Sequence, residues 1–500
     1  MVLVAVVTAV LVPLAAVPAS AGVIISVPGA HATIQEAIDA AVNGNTVVVD
    51  DGTYDENITF FGKAIEVRSV TGSDNTVLHG SVTFEDGETN ASVLRGFTIQ
   101  NTSNAITLES ASPTITENVI VGNSKAVTSI GSTAAPMIID NVIADNFVCG
   151  GTPGITMTGG GIIRDNLILD NFVTCSTGLG GGISIPLGSG ALIEGNLIAG
   201  NYAIAGGGID VRAGADNVTI KDNVIVANAA DFGNGGGLSI TDSRNAVVVQ
   251  NLVAFNDGGG ITLSPDGNGP LTTGLVLVNN TTGDNFGFDF FGNPVPGIQS
   301  HRNDLGFPKF YNNIASDGLT CTGDHSGGTF FSNNFLPFLG GVCRPQLGTN
   351  GNIELNPKFR NPDDLDYALR SDSPSRDTGN GSPPNPPSLP ATDITGRSRV
   401  VNGTVDQGAI EFYIPKGASE PEVWDPAPEV LRKDLPPGVF TTGGASVGAA
   451  APGPAAASSP SVKSEPTILA TVTDPTTLSA RRQAMRNARW RARHAHPKLG

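Results

Sequence analysis

The chain is short of charge, of cysteine and of long apolar runs. Only 15% of its 500 residues are Asp, Glu, Lys or Arg. Set against 64 glycines and many Asn-rich turns, that scarcity argues for short strands and tight corners rather than helices. Bases are the scarcer sign, 28 against 46 acids, and seven of them crowd into residues 481–500, where there is no acid. The remaining body is strongly acidic and should not seek nucleic acid or anionic membrane. Acidity alone is weak evidence about a partner, since it also keeps a large secreted body soluble. Neither pair among the four cysteines has metal-ligand spacing, so a zinc site is excluded. Beyond the first 21 residues nothing approaches the roughly 20 apolar residues that a transmembrane anchor needs.

What is present begins with an export pattern. The apolar run Val2 to Val17 ends in Ala19-Ser20-Ala21, a small-residue cleavage site without a basic stretch before it. Residues 1–21 are therefore expected to be a signal peptide and the mature protein to be secreted. Four cysteines in two plausible pairs agree with an oxidising, extracellular setting.

A repeat dominates the middle of the chain. Asn118-Val-Ile-Val-Gly-Asn123 returns with first asparagines at Asn141, Asn166, Asn196, Asn223 and Asn251, in steps of 23 to 30 residues. Between copies stands Gly-Gly-Gly-Ile/Leu, ending at Ile183, Ile209 and Leu238, with a further copy at Gly258–Ile261. A fixed-phase repeat of this period means stacked coils. Three residues before the first Asn stand Ile115, Ile138, Ile163, Ile193, Ile220 and Val248, and two after it stand Ile120, Ile143, Ile168, Ile198, Ile225 and Val253. Both columns are apolar in every copy, so both point inward. The asparagines suit left-handed corners, and each amide can bond its equivalent on the next coil. Strands separated by such corners, each pairing with its counterpart about 4.8 Å away on the next coil, make a parallel β-helix. The register also places Cys149 and Cys175 within disulfide reach on adjacent coils. Cys321 and Cys343 bracket a later coil as the second expected pair.

The flanks complete the domain reading. Residues 22–45 hold an N-terminal strand and a capping helix, in which Ile34, Ala37, Ile38 and Ala41 share one face and Thr33 with Glu36 resembles a capping box. Residues 46–298 are the repeats, and 299–413 the last coils and a C-terminal cap. Residues 414–500, rich in Pro, Ala and Ser with a basic end, are expected to be a disordered tail.

Thr33-Ile-Gln-Glu-Ala-Ile-Asp-Ala-Ala, Gly52-Thr-Tyr-Asp-Glu-Asn-Ile58 and Asp406-Gln-Gly-Ala-Ile-Glu411, together with the coils, resemble the pectate lyase-like superfamily over roughly residues 24–413. The resemblance implies an all-β fold, a single right-handed parallel β-helix, and it allows lyases, hydrolases, esterases, epimerases, tailspikes and adhesins alike. The Gly-His-Gly segment of polygalacturonases, the Gln-Asp-Thr of pectinesterases, the Arg-x-Pro-x-x-Arg of common pectate lyases and the Asp-Pro-His-Glu of alginate epimerases are all missing. No catalytic residue carries over from them.

The candidate chemistry is read from columns instead. Asp140, Asp145, Asp165 and Asp170 occupy matching positions on two successive coils, where stacked carboxylates invite Ca²⁺. Lyases of this fold use Arg or Lys as base, and Arg164 and Lys221, flanking Glu194 in one column, are the candidates. The same three side chains also alternate in sign as a plain surface ladder. Phe147, Phe172 and Tyr202 form an aromatic column, either internal or offering sugar-stacking faces. The leading expectation is binding of an extracellular polysaccharide or cell-surface glycan, with cleavage as a Ca²⁺-assisted lyase or as a hydrolase. A non-catalytic adhesin or structural β-helix is the alternative, and a trimeric fibre of tailspike type would show an exposed apolar stripe.

Overall fold

A computed structural model describes residues 22–413 except 132, 176–177, 213, 232–233, 265–273, 290–292, 302–307, 323–328, 337, 342–346 and 383–388. The expected signal peptide and C-terminal tail lie outside the described residues. The strands stack into parallel sheets of thirteen, twelve and twelve, with a fourth of four. One coil shows the plan. Ala191–Glu194 lies in the thirteen-stranded sheet A, and Leu197–Ala199 in sheet B. Tyr202–Ala203 lies in the four-stranded sheet D, and Ile209–Val211 in sheet C. The chain then re-enters sheet A at Thr219–Lys221, where Ile193 pairs with Ile220 and Glu194 with Lys221. The two isoleucine columns are fully buried and run through one continuous core.

Both corners around sheet B carry asparagine ladders. Asn118 Nδ2 donates to Asn141 Oδ1 at 3.1 Å, Asn141 to Asn166 at 3.0 Å and Asn166 to Asn196 at 3.0 Å, and the chain of amides continues to Asn352. A second ladder runs from Asn123 to Asn285 and ends on a carboxylate, where Asn285 Nδ2 donates to Asp317 Oδ2 at 2.6 Å. Burial pushes the Asp317 carboxyl up to about 6, against the hydrogen bonds from Thr282 and Asn285. The left-handed residue of each corner is not the asparagine, as the sequence suggested, but the residue before it. Asp140, Asp145, Asp165 and Asp170 have φ of 57°, 51°, 55° and 50°. Glycine adopts this conformation freely and aspartate, like asparagine, tolerates it, and Gly195 and Gly200 take the equivalent places one coil on, at φ 68° and 72°.

The glycine triplets close the coil against the ladder. A Cβ on Gly208 would lie 3.0 Å from Ile225 Cγ2 and 3.1 Å from Asn228 Nδ2, so only hydrogen fits between core and ladder.

At the N-terminal end the helix Ile34–Ala40 buries Ile34, Ala37 and Ile38, and the Thr33 side chain accepts the Glu36 N–H. The other end departs from the expected run of coils and cap. After Asn352 the chain turns back along the flank of the helix. Tyr367 Oη donates to Asp284 at 2.7 Å, and Asn279 Nδ2 bonds the carbonyls of Asp406 and Gly408 at 3.1 Å each. Arg399, 0% exposed, bonds Glu411 at 2.8 Å, the Ala409 carbonyl at 2.9 Å, and Gln250 Oε1. The closing Asp406–Glu411 segment is thus a side strap anchored by a buried ion pair. Where it lies, outward positions of sheet A turn apolar, and Val249, Val276, Val278 and Tyr311 form a second buried cluster outside the coil. No helix among the described residues is long and apolar enough to cross a membrane.

Candidate functional site

Arg164, Glu194 and Lys221 stand in register on sheet A. Arg164 Nη2 lies 2.8 Å and Lys221 Nζ 2.5 Å from the Glu194 carboxylate. Burial pushes the Glu194 carboxyl up, but Lys221 and Arg164 outweigh it and hold the carboxyl below its ordinary value. Both cations are therefore committed to Glu194, an arrangement that suits a sign-alternating ladder and not a proton-abstracting base. The column also continues directly into Val249, Val278 and Tyr311 beneath the strap.

The four aspartates do not assemble into one cluster. Asp140 and Asp145 sit at opposite ends of Val142–Ala144, on two separate corner columns, and Asp165 and Asp170 do the same one coil on. Their backbone conformation accounts for their positions. Among the described residues no three carboxylate, imidazole or thiol groups could hold a metal ion. Cys149 and Cys175 form a disulfide with Cα atoms 4.8 Å apart, one coil spacing. Cys321 is buried, and Cys343 lies outside the described residues.

The aromatic column faces outward on sheet D. Phe147 pairs with Phe172 and Phe172 with Tyr202. Phe147 is 57% and Phe172 44% exposed. The Phe172 and Tyr202 rings stack at 4.6 Å and 18°, and Tyr202 Oη donates to Asp231 at 3.0 Å. Glu194 is not beside them, because a whole strand and both asparagine corners separate it from Tyr202 along the coil.

The chain continues from this column into sheet C, whose outward face was not singled out in the sequence. Ser184, Asp210, Ser239, Thr262 and Gln299 stand in register there. Farther along the same strands Thr241 pairs with Ser264 and His301 with Thr322, and Arg212 follows Val211 at the end of its strand. Asp210 is wholly buried under the Ala205–Gly206 turn, since a Cβ on Gly206 would lie 2.5 Å from Asp210 Cβ. Burial pushes the Asp210 carboxyl up to about 6, opposed by Arg212. Its Oδ2 accepts Arg212 Nε at 2.7 Å, while Oδ1 has no hydrogen-bond partner. Arg212 itself is 30% exposed, so a fixed guanidinium reaches the surface, whereas Ser184, Ser239, Thr262 and Gln299 in the neighbouring column are buried. Three coils on, Gln299 accepts from Thr262 at 3.3 Å, and His301 Nδ1 lies 2.8 Å from Thr322 Oγ1. At about 4.8 Å per coil, Asp210 and Gln299 are about 14 Å apart along the axis. The sequence carried a signal for this face. The residue after Gly-Gly-Gly-Ile/Leu is polar in every copy, and Asp210 is the ionisable one.

The coils define a class of protein. The model of the right handed beta helix region matches residues 84–230 and 153–336, and the chain belongs to that family. Solved structures similar to it include the pectate lyase Pel9A, 13% identical, covering 79% of this chain and 97% of that one at a TM-score of 0.44. Another is the catalytic domain of a GH87 alpha-1,3-glucanase in complex with tetrasaccharides, 11% identical, covering 67% and 70% at 0.35. A third is an alginate lyase from Paenibacillus sp. str. FPU-7, 16% identical, covering 54% and 96% at 0.28. No curated protein sequence matches the chain.

Proposed function

We propose that this is a secreted protein that binds an extracellular acidic polysaccharide along the outward face of sheet C, beside the aromatic column of sheet D. The observation that carries the reading is Arg212, partly exposed on sheet C and held from behind by a buried carboxylate. A planar guanidinium held in place recognises a sugar carboxylate by paired hydrogen bonds. Half-buried Ser264 and His301 offer further polar contacts on the same sheet, while Ser184, Ser239 and Thr262 are buried beneath the surface. Phe147 and Phe172 supply exposed ring faces for stacking. Export is supported by the Cys149–Cys175 disulfide.

Binding is the core of the proposal. The Asp210 carboxyl lies beneath the Ala205–Gly206 turn, so its role is to hold Arg212 rather than to protonate a glycosidic oxygen. The test titrates the full chain with polygalacturonate, alginate and a neutral glucan, by calorimetry for binding and by ultraviolet absorbance for unsaturated ends. Uronate polymers should bind, the neutral glucan should not, and Phe172→Ala should weaken binding several-fold. Equal affinity for all three polymers, or none for any, would remove the reading. Unsaturated ends appearing with a uronate polymer would add lyase activity to it.

A further inference from the structure

Sheet B has an outward face as apolar as an interior one. Val119, Val142, Leu167, Leu197 and Val224 stand in register on it, and a second column from Val121 to Val226 runs beside them. All point away from the core isoleucines Ile120 to Ile225. In the first four of these coils both columns are half-buried except at Leu167, while Val224 and Val226 in the fifth are already covered at 5% each. In the next coils the same face is covered, with Leu252 at 3% and Ala254 at 0% exposure. The cover is the chain's own strap. A Cβ on Gly283 would lie 2.4 Å from the Tyr367 ring, and Ala409 N donates to Thr281 Oγ1 at 2.9 Å.

The corner column bordering this face changes chemistry at the same boundary. Under the strap it presents amides, which bond neutral backbone. Gln250 Nε2 donates to the Thr392 carbonyl at 2.9 Å, Asn279 Nδ2 to those of Asp406 and Gly408, and Asn312 Nδ2 to that of Asn380 at 3.1 Å. In the open coils the column presents carboxylates instead at Asp140 and Asp165. They are flanked by Glu117, which pairs with Arg95 at 2.9 Å, and followed by Gly195 before Asp222 joins Gln250 at the strap. Asp145 and Asp170 add two more on the opposite border. An amide column fits a strap whose backbone lies against it, whereas a carboxylate column fits cationic side chains.

We propose that the open half of this face docks a polypeptide segment of another protein, apolar in its middle and carrying Lys or Arg along its margins. It would continue the surface that the strap already occupies. Three steps of about 4.8 Å make the open stripe about 14 Å long, enough for a segment of about four extended residues. Acidic borders repel one another, which disfavours pairing of the face with a second copy. The inference is independent of the glycan reading, which uses other faces.

The test uses the full chain and two fluorescent synthetic peptides with the same alternating Leu/Val centre, one flanked by lysines and one by glutamates. Fluorescence anisotropy should show the lysine peptide binding at least about tenfold more tightly than the other, with the preference shrinking as salt rises from about 0.05 to about 0.5 M. Leu169→Lys should abolish binding, and Asp140→Asn with Asp165→Asn should weaken it while keeping the corner conformation. Circular dichroism and uronate binding serve as folding controls, with Val142→Lys as the second variant should Leu169→Lys misfold. No binding of the lysine peptide, equal binding of both, or indifference to both lysine variants would overturn the proposal. So would a dimer in sedimentation that Leu169→Lys dissolves, since that result assigns the face to a second copy.

Discussion

Single side chains here do two unlike jobs, and substitution separates them. Asn171 accepts from both nitrogens of Asn146 and donates to Asn201 and to the Ile143 carbonyl. Asn171→Leu strands buried partners on two coils and should cost about 3 kcal/mol in urea unfolding, at the upper end for an unsatisfied buried group. Asp165 is a corner residue. Asp165→Gly should be close to neutral, while Asp165→Val, a branched side chain at φ 55°, should cost about 1–3 kcal/mol. Since the aspartates serve the backbone, a chelator should leave uronate binding unchanged in calorimetry. Loss of binding with EDTA would restore a metal to the account. Asp317 adds a dependence on pH. Its carboxyl binds a proton more tightly folded than unfolded, so its contribution is complete below the unfolded value near 3.8 and is lost as pH rises through about 6. The melting temperature should fall between pH 5 and 7.5, and Asp317→Asn, which keeps an amide-like acceptor for Asn285, should flatten that slope.

Strands and corners were the legible part of this chain, because a repeat writes its register into covalent spacing. Counting from each asparagine placed Ile193 inside, Glu194 between Arg164 and Lys221, and Cys149 over Cys175. What spacing could not convey was which residue of a corner turns left-handed, since Asp140 and Asn141 both tolerate it. Nor could it show that Asp210 is buried, which depends on the Ala205–Gly206 turn folding over it. The strap was hidden for a different reason. Arg399 meets Gln250 across 149 residues of sequence, and no periodicity reports so distant a contact. Its nearest sequence trace is the outward column that passes from Arg164, Glu194 and Lys221 to Val249 and Val278. The strap's anchor gives its own prediction. Burial pushes the Glu411 carboxyl up to about 8 against the pull of Arg399. Glu411→Gln should therefore cost about 3–5 kcal/mol above that pH and less at neutral pH, whereas paired hydrophobic replacement of Arg399 and Glu411 should cost far less. Urea unfolding of the two variants distinguishes these outcomes.

The described coils present distinct faces along one axis. Sheet A carries an ion ladder that gives way to strap-covered valines, sheet B an apolar stripe with acidic borders, sheet D stacked rings, and sheet C the partly exposed Arg212 beside a buried polar column. On the proposed function, a linear polymer lying along the axis meets Arg212 and the rings of sheet D, and recognition is expected there rather than on the Arg164–Glu194–Lys221 column. Arg212→Ala and Arg164→Ala, compared by calorimetry with the same uronate polymer, separate the two faces most directly. Loss of binding in Arg212→Ala with near-normal binding in Arg164→Ala is the predicted result. Normal binding in Arg212→Ala together with loss in Arg164→Ala would contradict it.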